Sequence, residues 1–495
     1  MALHRWVRAG GVVAVTTAVA VMVPATAHAG GPGSWTALSS YPASGFPRMG
    51  NNDVPTVLRG SASQLQVLWK REPASNASQY RTALVRPQGT TAVPERDVLG
   101  QWSTLLGAPR LRWVGGERFL LFGTADTTAP ASRGGGSVTG QGRVATSLDG
   151  LTWVFSPQVA SATTAFRNGN GQDVVDVAGS PLTISNGAGS TTTVDSGLFS
   201  PFPAAPATPT VTFQAPGTLC CSERAAIERD GATGVVWGAF VNNSNAAPAA
   251  TRGVQYATVQ PAVGTFRQVP GTLVNGGVVD PKTRVSLAAR VGGGVYLATP
   301  VGYPAVSGIR VLRLGTSTSI FIPAPNVHQV SIAAAPGGRM WVSWIDRSGG
   351  TAVVRAVRSN PAGTAFGART LVGRPASSTQ LWQLTSDGAV AGLLDLVATS
   401  SAPSGAINVV HSQAKATLTA TATLTRNRSG KVLVVRVTDA GVVVRGAAVT
   451  ARGVTKRTGR LGTTAFAIPA SVRGRIAVRV ALAGYNGVTL TPRVG

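Results

Sequence analysis

The sequence predicts an all-β protein, a six- or seven-bladed propeller followed by a small β-sandwich. Three observations lead there. A short phrase recurs without a gap: RVSLAARVGGGVYLAT at 284–299 and QVSIAAAPGGRMWVSW at 329–344. Each copy alternates apolar residues, makes a Gly-rich turn, then runs into a second apolar stretch carrying an aromatic. Looser copies lie at 55–69, 109–123, 224–240 and 381–394, and a strand–turn–strand unit repeated in this way is the mark of a propeller or related array. The chain is also rich in Val, Thr, Gly and Pro and has almost no Lys- or Glu-rich amphipathic stretch, which favours strands and turns. Finally, the texture changes after residue 412.

In chain order, the first segment reads as an export signal. Arg5 and Arg8 form a basic start, residues 9–23 are apolar or small, and Ala27-His28-Ala29 has the form of a cleavage site. A signal peptide is therefore expected over 1–29, with the mature chain secreted, extracellular or associated with the cell surface. The apolar run is too short for a membrane anchor, and no later stretch is long and apolar enough to span a bilayer as a helix. Residues 30–50 either add a closing strand to the last blade or simply lead into the first. Inner strands are expected near 53–59, 109–114, 173–178, 223–228, 284–289, 328–333 and 380–385. The third unit fits the repeat poorly, which leaves six or seven blades. An aromatic recurs on the second strand (Trp69, Phe119, Trp237, Tyr296, Trp341) and reads as blade-to-blade packing. The propeller is expected over 30–412 and the sandwich over 413–495.

Charge divides the two parts. From Lys415 onward fourteen Lys and Arg face a single acid, Asp439. Such asymmetry suggests that this part meets an anionic partner, for example a cell-envelope surface; the alternative is a merely solvated basic face. Nucleic acid is disfavoured, since no aromatic platform for bases is interleaved with the cations. A monomer is expected.

The two cysteines, Cys220 and Cys221, are adjacent. In an oxidising compartment they form either a vicinal disulfide or two buried thiols; their Cα atoms are only ~3.8 Å apart, so a bridge would lock a tight turn. No metal is expected, because the mature chain offers only His328 and His411 and neither is near the cysteines in sequence. No cofactor-binding motif appears.

Ser147-Leu148-Asp149-Gly150-Leu151-Thr152-Trp153 is the most specific short motif. It resembles the Asp-box of the sialidase, or bacterial neuraminidase repeat, superfamily in a version one residue shorter. That resemblance implies a sialidase-like propeller and structural roles for Ser147, Asp149, Gly150, Thr152 and Trp153, with Asp149 forming a turn and taking no part in catalysis. It also implies where an arginine triad and a Tyr/Glu pair should stand. Neither can be identified here: the Phe-Arg-Ile-Pro motif is missing, its nearest text being Phe46-Pro47-Arg48-Met49, and the chain holds five Glu in all. Val437-Thr438-Asp439-Ala440-Gly441, Thr458 to Phe466 and Ala483-Gly484-Tyr485 resemble bacterial immunoglobulin-like or carboxypeptidase-regulatory-like modules, which are non-catalytic.

The residues themselves direct attention to the starts of the inner strands, where a channel mouth would lie. Asp53, Arg112, Asp173, Glu223, Arg224, Arg284, His328 and Gln380 are all polar. Arg112, Arg224 and Arg284 could grip an anionic group in bidentate fashion, and Asp53 with Glu223 could form a glycosidase carboxyl pair. Equally, these charges could pair with one another. Three functions follow. The first is a non-catalytic propeller binding a carbohydrate or other acidic ligand, docked to an anionic surface by the basic module. The second is a glycoside hydrolase of exo-sialidase type, and the third is a structural or protein-interaction scaffold.

Overall fold

The computed structural model describes residues 35–49, 54–60, 64–100, 105–124, 141–155, 173–186, 193–198, 211–214, 225–242, 252–274, 277–278, 285–427 and 430–494. Among these the chain is all-β, with a single 3-10 turn at Pro336–Gly338. Seven four-stranded antiparallel sheets follow one another as blades. Their inner strands are Thr56–Arg59, Leu105–Val114, Asp173–Val177, Ala226–Arg229, Ser286–Ala289, Val327–Ala335 and Gln380–Asp387. Each inner strand lies against the next, and the seventh lies against the first, so the ring is closed. The poorly fitting third unit is a blade of its own, built from Asp173–Val177, Ser180–Asn186, Thr193–Leu198 and Val211–Gln214.

The seventh blade is assembled from both ends of the propeller. Gln380–Asp387, Leu393–Ser401 and Ile407–Thr417 supply three strands, and Trp35–Tyr41 adds antiparallel to the third, with Trp35 opposite Ser412 and Tyr41 opposite Ile407. The stretch from 35 to 41 is thus the closing strand. The strand Ile407–Thr417 runs past the expected boundary at 412, because its apolar alternation continues through Ala414 and Ala416, both buried.

Burial follows the repeat. The apolar clusters fill the seams between blades, with Trp69 in the seam that closes the ring, Tyr296 between blades five and six, and Trp341 between six and seven. Across the closing seam, Glu95 of blade one accepts hydrogen bonds from Ser39 and from Tyr41 Oη (2.9 Å) of the closing strand, while Arg81 Nε donates to it at 2.6 Å. Burial pushes the Tyr41 phenol up to about 12.

The second body is a sandwich. One sheet holds Thr419–Asn427, Gly430–Asp439, Val442–Val443 and Thr463–Ile468; the other holds Val454–Arg457, Ala448–Ala451, Val478–Ala481 and Val488–Leu490. Alternation sends Leu433, Val435 and Val437 of one sheet against Val449, Val478 and Val480 of the other. It is tied to the propeller backbone by the parallel pairing of Ala416 with Tyr485. The joint is centred on Asp439, whose side chain is 1% exposed. Its Oδ2 accepts from Arg358 Nη2 at 2.6 Å and from Tyr485 Oη at 3.2 Å, and forms an ion pair with Arg339 Nη1 at 3.0 Å. The Arg358 guanidinium also stacks between Trp341 and Tyr485, at 5.5 and 4.9 Å from the ring centres.

Asp439→Ala leaves two guanidinium groups in this joint without their acid. Removing one partner of a buried pair costs about 3–5 kcal/mol, and the loss should appear in chemical denaturation of the full chain. A loss below about 1 kcal/mol would mean that the joint does not depend on this acid.

Candidate functional site

Among the described residues, polar contacts join neighbouring inner strands at six of the seven seams. Arg59 of blade one donates to Asp387 of blade seven at 3.0 Å and also reaches Asp395. Asp395 accepts from Gln413 Nε2 at 2.9 Å and contacts His411 Nε2 at 2.8 Å. Trp113 Nε1 of blade two donates to the Arg59 carbonyl at 2.7 Å. Asp173 of blade three accepts the Ile227 N–H of blade four at 3.2 Å. Between blades four and five the approach is made by turns, where Asp230 faces the Gly294 backbone. Ser286 of blade five accepts the Ile332 N–H of blade six at 2.9 Å, and the Ser331 and Ser386 hydroxyls are 2.8 Å apart between blades six and seven.

One group in this ring does more than join neighbours. Arg112 sits on the inner strand of blade two, facing Asp173 on blade three, with Nη2 to Oδ2 at 3.1 Å and Nε to Oδ1 at 3.4 Å. Its Nη1 lies 3.7 Å from Glu228 Oε2 on blade four, so one guanidinium spans three blades. Asp173 is buried and also accepts the Val174 N–H at 3.0 Å. The Glu228 side chain is 16% exposed and that of Arg112 36%, which leaves this face of the cluster open to solvent.

The electrostatics follow from the geometry. Burial pushes the Glu228 carboxyl up, Arg112 pulls it back, the Asp173 charge raises it again, and the result lies above the usual carboxylate range. The Arg112 guanidinium is driven upward, chiefly by the Asp173 charge against the cost of burial, with Glu228 adding to it. A permanently charged cation therefore stands between one carboxylate fixed by three donors and one acid whose proton is held more firmly. With both acids ionised the cluster carries a net single negative charge, so its arginine is balanced before any ligand arrives.

Of the residues singled out from sequence, the structure brings Arg112 and Asp173 together. His328 lies half-buried on the inner strand of blade six, and Gln380 is exposed at the start of the inner strand of blade seven. Asp53, Glu223, Arg224, Arg284, Cys220 and Cys221, and the segment 1–34, lie outside the described residues. Glu228 was not singled out. It is the third residue of the four-residue strand Ala226–Arg229, whose first two residues are buried and last two half-buried; a carboxylate on a predicted inner strand was the available signal.

The Ser147–Trp153 stretch forms a tight turn in blade two. Asp149 Oδ1 accepts the Leu151 and Thr152 N–H groups at 2.7 and 2.8 Å, its Oδ2 accepts the Thr152 hydroxyl at 3.1 Å, and Ser147 Oγ accepts the Gly150 N–H at 2.8 Å. Led by the Thr152 N–H, these donors hold the Asp149 carboxyl down at about 2. Gly150 is required twice over. Its φ is +81°, and an added Cβ would stand 2.6 Å from Gln66 Oε1. The Gly150 carbonyl accepts from Gln66 Nε2 of blade one at 2.8 Å, so this turn too joins neighbouring blades. Among the described residues no group of three or more His, Cys, Asp or Glu is placed to hold a metal ion.

The raised Glu228 pKa has a stability consequence. A folded acid that holds its proton more firmly than the unfolded chain loses stability as pH rises from about 4.5 through its folded value. Glu228→Gln removes that slope. The variant should be as stable as the parent or more so at pH near 8, with the advantage vanishing toward pH near 4, in paired thermal melts. A variant that is equally destabilised at both ends of the range would show that the Arg112 contact outweighs burial.

No protein-family model matches the sequence, and no curated protein matches it. Solved structures similar in strand arrangement include the polysaccharide lyase Uly1 (9% identity, TM-score 0.43, covering 73% of this chain and 89% of that one). The Hadza microbial sialidase Hz136 is similar at 13% identity and TM-score 0.40, covering 73% and 65%. A GH43_1 enzyme from Xanthomonas citri complexed with xylotriose is similar at 12% identity and TM-score 0.31, covering 79% and 92%. Identities from 9% to 13% carry no residue over to this chain.

Proposed function

We propose that this is an exported, non-catalytic binding protein whose basic module docks on an anionic surface while the propeller channel receives a carbohydrate. One observation carries the docking half. The only acid in the module, Asp439, is buried against Arg339 and Arg358 of the propeller. Arg426, Arg436, Arg445, Arg452, Lys456, Arg457, Arg460, Arg473, Arg475, Arg479 and Arg493 are all exposed. The outward charge of the module is therefore of one sign, and attraction to a dense anionic surface follows from that alone. Such attraction weakens with salt as the Debye length shrinks from about 30 Å at 0.01 M to about 8 Å at 0.15 M.

For the channel, the Arg112–Asp173–Glu228 cluster, whose guanidinium is already paired with two acids, favours a ligand that both donates and accepts hydrogen bonds without bringing a negative charge. A neutral, hydroxyl-rich sugar has that chemistry, whereas an acidic ligand would have to displace the carboxylates from Arg112. Glycoside hydrolysis is a second reading, favoured by two carboxyl groups, Asp173 and Glu228, that share Arg112, with the Glu228 carboxyl pushed up by burial.

Retention of the full chain on an anionic polymer such as dextran sulfate should be strong near 0.01 M salt and fall by more than about tenfold by 0.5 M. Salt-independent retention, or none at low salt, removes the docking reading. A panel of neutral oligosaccharides tested by calorimetry, alongside nitrophenyl glycosides as reporters of hydrolysis, decides the channel. Binding without turnover supports the non-catalytic reading; turnover lost in Glu228→Gln with binding retained replaces it with the hydrolase; neither binding nor turnover rejects both.

A further inference from the structure

Among the described residues, three of the module's four exposed large apolar residues gather on one edge beside arginines; the fourth, Val454, lies on the other sheet. Leu461 is 69% exposed, and Val442 and Val443 are 38% and 37% exposed. Val442 and Val443 form the short strand that follows the turn after Asp439, and Leu461 lies in the turn at 459–462. The two turns are knitted together. Val437 N–H donates to the Gly462 carbonyl at 2.8 Å, and a Cβ added to Gly462 would stand 3.1 Å from Val443 Cβ. Arg445 Nε reaches the Arg460 carbonyl at 3.3 Å, and Arg457 Nη1 reaches the Gly446 carbonyl at 2.9 Å. Three apolar side chains and three guanidinium-bearing residues thus share one edge of the sandwich, and no acid is exposed anywhere on the described module to balance them.

Turns in water select small and polar residues, and although a single exposed apolar side chain is ordinary, several gathered on one edge mark a candidate interaction surface. A polyanion would use the arginines and gain nothing from Leu461. A bilayer with anionic lipid uses both, since the cations meet the headgroups while the apolar tips enter the acyl boundary. We infer that this edge, with Val442, Val443 and Leu461 flanked by Arg445, Arg457 and Arg460, is a docking face for an anionic lipid surface. This rests on the electrostatic docking proposed above and names the surface.

The charge-neutral substitution Leu461→Ser separates the two. It removes the most exposed apolar tip at a position that contributes nothing to the core. With full-length protein and vesicles of phosphatidylcholine containing about 30% phosphatidylglycerol, co-sedimentation of Leu461→Ser should be weaker than that of the parent by about tenfold. Leu461→Phe should bind at least as well as the parent, and retention of both variants on dextran sulfate should be unchanged. Equal vesicle binding by Leu461→Ser and the parent overturns the lipid-docking face and leaves electrostatic docking standing. So does a parent chain that binds dextran sulfate but not the vesicles. A parent that binds neither fails at the level of the docking reading itself.

Discussion

The seventh blade exists only because Trp35–Tyr41 pairs with Ile407–Thr417, and the rest of the molecule depends on that pairing. Without it the last blade has three strands and an open edge, and the cluster of Tyr41, Met49, Trp69 and Val409 loses its lid. With it the last blade is complete to its outer strand and can bury its face against blade one. Apolar packing alone would allow blades to slide past one another along the seams. The polar contacts fix their register. Arg59 to Asp387, Asp173 to the Ile227 N–H and Ser286 to the Ile332 N–H each connect a defined residue to a defined residue on the next inner strand.

The same device, used twice with arginine, has opposite consequences. In the channel Arg112 is paired with both Asp173 and Glu228, which makes a charged residue structural and leaves a hydrogen-bonding wall with no free cation in this cluster. At the joint Asp439 is enclosed by Arg339 and Arg358, and hiding the lone acid makes the outward charge of the module uniformly positive. Pairing therefore quiets the propeller channel and sharpens the charge of the sandwich.

Much of the fold was legible because its signals are local. A strand that alternates, turns at glycines and alternates again needs only a few consecutive residues to declare itself, as 284–299 and 329–344 do. The bonds around Asp149 span at most three positions, so their donors and acceptors can be read from the residue types between Ser147 and Trp153. Long-range pairings leave no such trace. Nothing in the Ala226–Arg229 strand says that Glu228 will meet Arg112, because the two are joined by the curvature of the ring. Nothing near Asp439 names Arg339 and Arg358, although a single acid in a strongly basic module, at a buried register of its strand, was itself a sign of pairing. The third blade was obscure for a simpler reason: its second strand, Ser180–Asn186, lacks the aromatic that marks the repeat, so its membership comes from hydrogen bonding to its own hairpins.

The way the ring is fastened also sets the order in which the protein can come into being. The strand made first, Trp35–Tyr41, has its partner in the strand of the propeller made last. Blades one to six can form as they emerge, since each is contiguous in sequence, but the ring stays unlatched until Ile407–Thr417 has been synthesised. Throughout that interval an unpaired strand and the bare flank of blade one wait in the open, both surfaces on which another chain could add. Latching is then the step of highest sequence separation and the natural bottleneck of folding. The basic sandwich, whose anchor Asp439 seats on blade six beside the latch, can settle into place only once the adjoining blades stand.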